Sequence, residues 1–379
     1  MRNPKSRSRK EIDDVVEEFR RQIVRHARMA DAEDELMSIL CGTPNKPITY
    51  LVGPTGVGKT RLIRICIANI LKQELAAMKA DPSYVPVVFV ELRHPERGIF
   101  DWVLFYRDIL KALNEPMLDK KRKVELDPQT RFLLANCTAK TPALSIFRDS
   151  ADSAMTHRRL QALFIDEAQH VLRVASNRGL RGQLDTIKTR ASLTGVKHVL
   201  SGTYELLDGL DLSGQLSRRR NLVHIPRYFP DLADDRDAFA SALDTLAADL
   251  PLKLPARFLQ DLDLVFLKTL GCVGVLKDWL CDALRTALER GDRSIGQSVL
   301  ENRALTNRQL AMMLEEISQG ESSLGGPSND VLLKEMSAVK VPQPAPVESA
   351  VKQSRRRDRR RPGTRNPVRD PVGVAALGA

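Results

Sequence analysis

What the chain lacks narrows its class first. Five cysteines, an odd number with no Cys-x-x-Cys pair, and six histidines without zinc-like spacing exclude a disulfide framework and a structural zinc site. No stretch reaches the roughly 18 uninterrupted apolar residues that a membrane span requires, so no membrane partner is expected. The basic start has no apolar segment behind it to make a secretory signal, and a cytoplasmic location is expected. Internal repeats, zinc fingers and recognition-helix motifs are also missing.

What is present is a chain of 379 residues, 42% apolar and 28% charged, with room for roughly two to three domains. Its net charge of +11 sits at the ends. Residues 1–10 carry five Lys/Arg and no acid, and residues 321–379 carry eleven Lys/Arg against six Asp/Glu, while the body between is nearly neutral. Such arms either keep the protein in solution or reach a polyanion and release its condensed counterions.

Hydrophobic periodicity divides the chain into a basic arm with helix (1–40), an α/β domain (41–230), a small helical lid (231–320) and a disordered basic tail (321–379). In the arm, Val15, Phe19, Ile23, Met29, Leu36 and Leu40 mark one or two amphipathic helices expected to lean on the domain that follows. Five short apolar runs, beginning at Ile48, Val85, Ala162, Lys197 and Asn221, alternate with helical patterns. That alternation implies a parallel five-stranded sheet covered on both faces. Beyond Pro230 the period is helical throughout, over 234–250, 256–270, 275–289 and 306–318. The tail is rich in Pro, Gly and Ser and cannot offset its ordering entropy. Trp102 and Trp279 read as core, and Cys272 and Cys281 as buried thiols.

Gly53, Pro54, Thr55, Gly56, Val57, Gly58, Lys59 and Thr60 fit G-x-x-x-x-G-K-[ST] between a predicted strand and a predicted helix, with Arg61 next on that helix. Backbone N–H groups there curl round a β-phosphate, Lys59 reaches the β- and γ-phosphates, and the Thr60 hydroxyl ligates Mg²⁺. A second apolar strand ends in Asp166 and Glu167. Asp166 is expected to hold the Mg²⁺ shell and Glu167 to polarise an attacking water. The guanine-reading pattern N-K-x-D is absent, because Asn45 and Lys46 precede the loop and are followed by Pro47, so the expected cofactors are ATP and Mg²⁺.

The order of P-loop, Asp-Glu pair, V-L-S-G-T closing a fourth strand at Thr203, an arginine cluster, a fifth strand and a helical lid resembles the AAA+ ATPases. Within them, G-P-T-G-V-G-K-T-R-L, L-F-I-D-E-A-Q-H, L-S-G-T-Y-E-L, residues 215–226 and T-L-G-C-V-G-V-L-K are similar to the transposition regulators of the TniB/TnsC/MuB type. The resemblance implies an ATPase that assembles with itself, as a ring or helical filament, on double-stranded DNA. It also implies a transposase and a target-selection protein of the TniQ type as partners, with hydrolysis dissolving the assembly. By position, Ser201 or Thr203, with Thr203 preferred, corresponds to the sensor 1 residue that watches the γ-phosphate. Arg218, Arg219 and Arg220 lie where a finger reaches the neighbouring subunit's γ-phosphate, and Lys277 stands where many relatives carry a sensor 2 arginine.

Any DNA contact is expected to fall on the phosphate backbone. Candidates are Arg93 and Arg97 after the second strand and Lys120, Lys121, Arg122 and Lys123 in a polar insertion, with Arg173, Arg178 and Arg181 in addition. Repeated along a filament, such loops form a continuous positive track. Two other functions share these motifs: an AAA+ replication initiator or loader, and a nucleotide-switched scaffold that does not bind DNA.

Overall fold

A computed structural model describes residues 8–42, 47–95, 98, 100–118, 124–126, 133–135, 143–172, 177–207 and 220–324, all within one compact unit. The tail was expected to begin at Glu321, but residues 321–324 continue the last helix; the rest of it lies outside the described residues, as do Arg97, Lys120, Lys121, Arg122, Lys123, Arg173, Arg218 and Arg219.

Seven strands are described: β1 (Ile48–Val52), β2 (Val87–Glu91), β3 (Val124–Leu126), β4 (Leu133–Ala135), β5 (Ala162–Asp166), β6 (Lys197–Gly202) and β7 (Arg220–His224). Five of them form the expected parallel sheet in the order β2-β5-β6-β1-β7. The strands β3, in the polar insertion, and β4, just beyond it, pair antiparallel where no strand was expected. Within the sheet, period-2 alternation sends Leu51, Phe164 and Val199 to one core, and Tyr50, Val52, Leu163, Ile165 and Leu200 to the other. Register then sets the site. Val52 lies opposite Gly202 and His224, and Glu91 opposite Asp166, so β1, β5 and β6 present their C-terminal ends together.

Helices α1 (Arg9–Arg21), α2 (Ala27–Cys41), α3 (Lys59–Ala80), α4 (Trp102–Ala112), α5 (Ala143–His157) and α6 (Asn177–Thr194) precede the last strand. Helices α2 and α3 cover one sheet face, with Leu36, Leu62, Ile63 and Cys66 buried, and α4, α5 and α6 cover the other. Beyond the sheet come α7 (Ala233–Asp249), α8 (Ala256–Gln260), α9 (Leu262–Thr269), α10 (Val273–Arg290), α11 (Gln297–Arg303) and α12 (Asn307–Leu324).

Three sequence expectations are corrected here. The arm does not lean on the α/β domain as a whole: α2 does, but α1 packs on α10 instead. Its stripe Ile12, Val16 and Phe19, at i, i+4 and i+7, joins the core of Phe239, Leu276 and Leu280, and Asp13 pairs with Arg285. The expected helix over 256–270 is broken at Asp261, whose carboxylate accepts the Leu264 N–H at 3.1 Å and caps a new helix. Trp102 is only half-buried, its indole N–H donating to Gln183 at 2.6 Å. Trp279, Cys272 and Cys281 are buried. Among the described residues no helix is long and apolar enough to cross a membrane.

His198 lies in β6 between β1 and β5, 2% exposed, and its Nδ1–H donates to the Val196 carbonyl at 2.8 Å. Burial pulls its pKa down to about 4. The folded chain therefore holds the ring neutral where the unfolded chain, near 6.5, takes up a proton, so stability is lost as pH falls through that interval. Between pH 7 and pH 5 this group alone costs about 2 kcal/mol of unfolding free energy. Urea unfolding at the two pH values should show that loss, and His198→Asn should flatten the pH slope by a similar amount; an unchanged slope would refute the assignment.

Candidate functional site

Strand β1 delivers the chain to Gly53 at the C-terminal edge of the sheet, and α3 begins at Lys59. Between them Gly56 (φ 76) and Gly58 (φ 107) take left-handed conformations that side chains rarely tolerate. Gly58 caps α3 without a side-chain bond, which leaves N–H groups of the first turn open to an anion. The Lys59 ammonium, 8% exposed, donates to the Gly53 and Pro54 carbonyls at 2.9 Å each. Burial lowers its pKa, opposed by the charges of Asp166 and Glu167. An anionic phosphate is a stronger acceptor than either carbonyl, so the bound lysine is poised to turn outward.

The two halves of the motif meet directly. Thr60 Oγ1 donates to Asp166 Oδ2 at 2.6 Å, and Asp166 Oδ1 accepts the Glu167 N–H at 3.0 Å. A hydroxyl and a carboxylate, both oxygen donors, fit Mg²⁺, which takes few protein ligands and completes its shell with phosphate oxygens and water. Glu167 itself sits at φ 53, a sparsely populated conformation for a residue with a side chain. Its Oε2 accepts from Gln169 Nε2 at 2.7 Å, while Gln169 Oε1 accepts the Thr203 N–H at 3.4 Å. Gln169 thus ties the glutamate to the end of β6. It was not singled out from the sequence, although the D-E-A-Q-H wording contains it.

Ser201 and Thr203, the two sensor candidates, both carry buried hydroxyl oxygens without a hydrogen-bond partner. Arg220 opens β7 opposite Ile48, at the far end of the strand pair from the P-loop. The Lys277 ammonium donates to the Gln22 carbonyl and stands 5.5 Å from the centroid of the Phe19 ring. Arg61 donates to the Arg20 carbonyl. Arg93 is exposed at the mouth of a cleft of about 660 Å³ that Phe100 and Trp102 also line.

The C-terminal helices close over the loop. A Cβ on Gly56 would stand 2.6 Å from Val275 Cγ2, and one on Gly274 would collide with the Gly56 carbonyl, so the start of α10 rests on the P-loop. Helix α12 docks nearby, with Gly320 flat against the Tyr204 ring and Glu321 gripping Arg227 through two bonds of 3.0 and 3.3 Å. Beside Gly58, a smaller cleft is lined by Gln22, Val24, His26 and Met29 from the arm and Val273 from α10. Of these arm residues sequence reasoning picked out only Met29, as part of an amphipathic stripe, because the turn between α1 and α2 carries no motif.

Residues 42–210 match the family model described as an AAA domain. No curated protein matches the chain. Among solved structures it is similar to the ORC2 protein of Aeropyrum pernix, at 16% identity and a TM-score of 0.47 over 75% of this chain and 69% of that one. It is also similar to a Walker-type ATPase of Pyrococcus abyssi, at 18% identity and a TM-score of 0.43 over 83% and 85% of the two chains. For Cdc6p of Pyrobaculum aerophilum the identity is 18% and the TM-score 0.47, over 85% and 74%.

Gln169→Leu keeps the volume and removes both bonds. Any ATP turnover should fall roughly 10- to 100-fold, as for other residues that orient a reacting group, with nucleotide affinity nearly unchanged. Single-turnover hydrolysis beside equilibrium nucleotide binding tests this; a loss confined to affinity would contradict it.

Proposed function

We propose that this chain is an AAA+ ATPase whose ATP-bound form assembles on double-stranded DNA and links target-site selection to a transposase. The observation that carries the ATPase half is the contact between Thr60 and Asp166, with Glu167 held beside it by Gln169. Residues more than a hundred positions apart converge as metal and water chemistry require.

In this mechanism Lys59 leaves the loop carbonyls for the β- and γ-phosphates, and Thr60 and Asp166 would hold Mg²⁺, which would supply charge neutralisation when bound. Glu167, kept aimed by Gln169, polarises the attacking water. Thr203 or Ser201 senses the γ-phosphate through its unpartnered hydroxyl. One of Arg218, Arg219 and Arg220 reaches a neighbour's γ-phosphate, so hydrolysis depends on assembly and ends it. The location of Arg220 at the opposite strand end agrees with a role toward another subunit.

The transposition half draws on the sequence resemblance, and the basic arms supply the chemistry for it. Arg93, Arg97 and Lys120 to Lys123 contact DNA phosphates in this reading, and the tail beyond Leu324 recruits the transposase.

Lys59→Ala should abolish nucleotide binding and ATP-dependent co-sedimentation with duplex DNA. Glu167→Gln should keep both while turnover drops about 10²- to 10⁴-fold. Removing residues 325–379 spares α12 and its Arg227 contact, and should leave the ATPase intact while transposase capture is lost. DNA coating by Lys59→Ala equal to that of the unmodified chain would defeat the proposal. An active, DNA-bound ATPase indifferent to any transposase would favour an initiator or loader.

A further inference from the structure

In the order of the sheet β1 lies between β6 and β7, so a helix that touches the C-terminal ends of both neighbours passes over the end of β1, where the phosphate loop begins. Helix α12 makes that crossing. Gly320 lies against the ring of Tyr204, just past β6, and Glu321 holds Arg227, just past β7. The two landing points are joined, since the Tyr204 hydroxyl and His224 Nε2 lie 2.8 Å apart. Farther back, Leu310 and Ile317 of the same helix are buried against Leu270, at the end of α9. Helix α12 therefore ties the C-terminal helices to the edge of the sheet across the loop.

The charges that it brings there are negative. Glu316 stands one turn before Gly320 and shares its face. Its carboxylate acts on Lys59, the residue that is to meet the phosphates, and Lys59 acts on it in return. Partial burial, and then the charge of Glu205, push the Glu316 pKa up, so the docked helix holds this carboxylate in an unfavourable place. Glu321 meanwhile neutralises Arg227, whose side chain is 16% exposed. Docking thus adds an anion beside the loop and cancels a cation near it. Both changes make the loop a poorer host for a polyanion.

We propose that α12 is an autoinhibitory strap over the phosphate site, and that a bound triphosphate and the docked helix oppose one another; this rests on the phosphate-site reading above. A triphosphate takes over Lys59 and sets its own negative charge against Glu316, which favours undocking. By linkage, whatever loosens α12 strengthens triphosphate binding by the same factor. The strap sits outside the matched stretch 42–210, so this control belongs to the C-terminal helices and not to the P-loop domain.

Hydrogen exchange on the full chain, with and without the Mg complex of adenylyl imidodiphosphate, reads the strap directly, and calorimetric titration with the same compound reads the site. Saturating nucleotide should speed exchange of the amides of residues 313–324 roughly tenfold. Gly320→Ala puts a methyl group into the Tyr204 ring, although alanine suits a free helix better than glycine. It should speed the same amides without nucleotide and tighten nucleotide binding roughly tenfold. Glu316→Gln keeps the shape, removes only the charge, and should tighten binding about two- to fivefold. Amides of α12 that slow down or stay unchanged when nucleotide binds overturn the strap, as does binding by Glu316→Gln that is no tighter than that of the unmodified chain. Lys59→Ala should lose both the binding and the exchange response. Binding that survives in Lys59→Ala overturns the phosphate-site reading, and the strap with it, whereas binding that needs Lys59 but leaves α12 protected overturns the strap alone.

Discussion

A carboxylate with 1% exposure at the end of a parallel strand has to be answered by donors, because an unpaired charge inside a protein costs several kcal/mol. Asp166 is answered by the Thr60 hydroxyl and by the N–H of its own successor, with the Lys59 ammonium in its field. That requirement joins the first turn of α3, which follows β1, to the end of β5, and β6 lies between β1 and β5 in the sheet's order. The register of β1 against β6 brings them together. The strain at Glu167 and the buried Gln169 follow, since the chain has to leave β5 sharply to keep the second carboxylate beside the first.

The arm is a structural part of the site and not an appendage. Helix α1 is fastened to α10 by its apolar stripe, by Asp13 on Arg285 and by Lys277 on the Gln22 carbonyl. The start of α2 is fastened to the C-terminal helices by Arg28 on Asp235, at 2.7 and 3.0 Å, and by the Tyr228 hydroxyl. Arg25 and Asn69 meet on Glu33, which links α2 to the P-loop helix. The turn holding Gln22 and His26 is therefore braced from both sides, and α10 touches both this turn, through Lys277, and Gly56, through Val275.

Several features were legible without coordinates. The phosphate loop and the Asp-Glu pair were readable because their chemistry demands fixed residue types at fixed short spacings. The five strands were readable because burial on both faces writes uninterrupted apolar runs. The split of 256–270 was missed, because Asp261 interrupts a helical period only by using its side chain as a cap. The docking of α1 was misplaced for a related reason: an amphipathic stripe reports that a face is buried, and says nothing about what buries it. Lys277 was placed by its position after the glycines, yet its ammonium is spent on a carbonyl from the arm, a partner 255 positions away.

The sequence alone determined that a glycine-rich turn lies between a strand and a helix and that two carboxylates end another strand, since those features reside in contiguous residues. Only the tertiary structure decided that Gln169 aims one carboxylate, that the arm and α10 close over the loop, and that two side chains from the arm are left with unsatisfied atoms beside it. The reason is one of range. Local spacing encodes what a segment does by itself, whereas hydrogen-bond partners and unsatisfied atoms exist only once distant segments have been packed against one another.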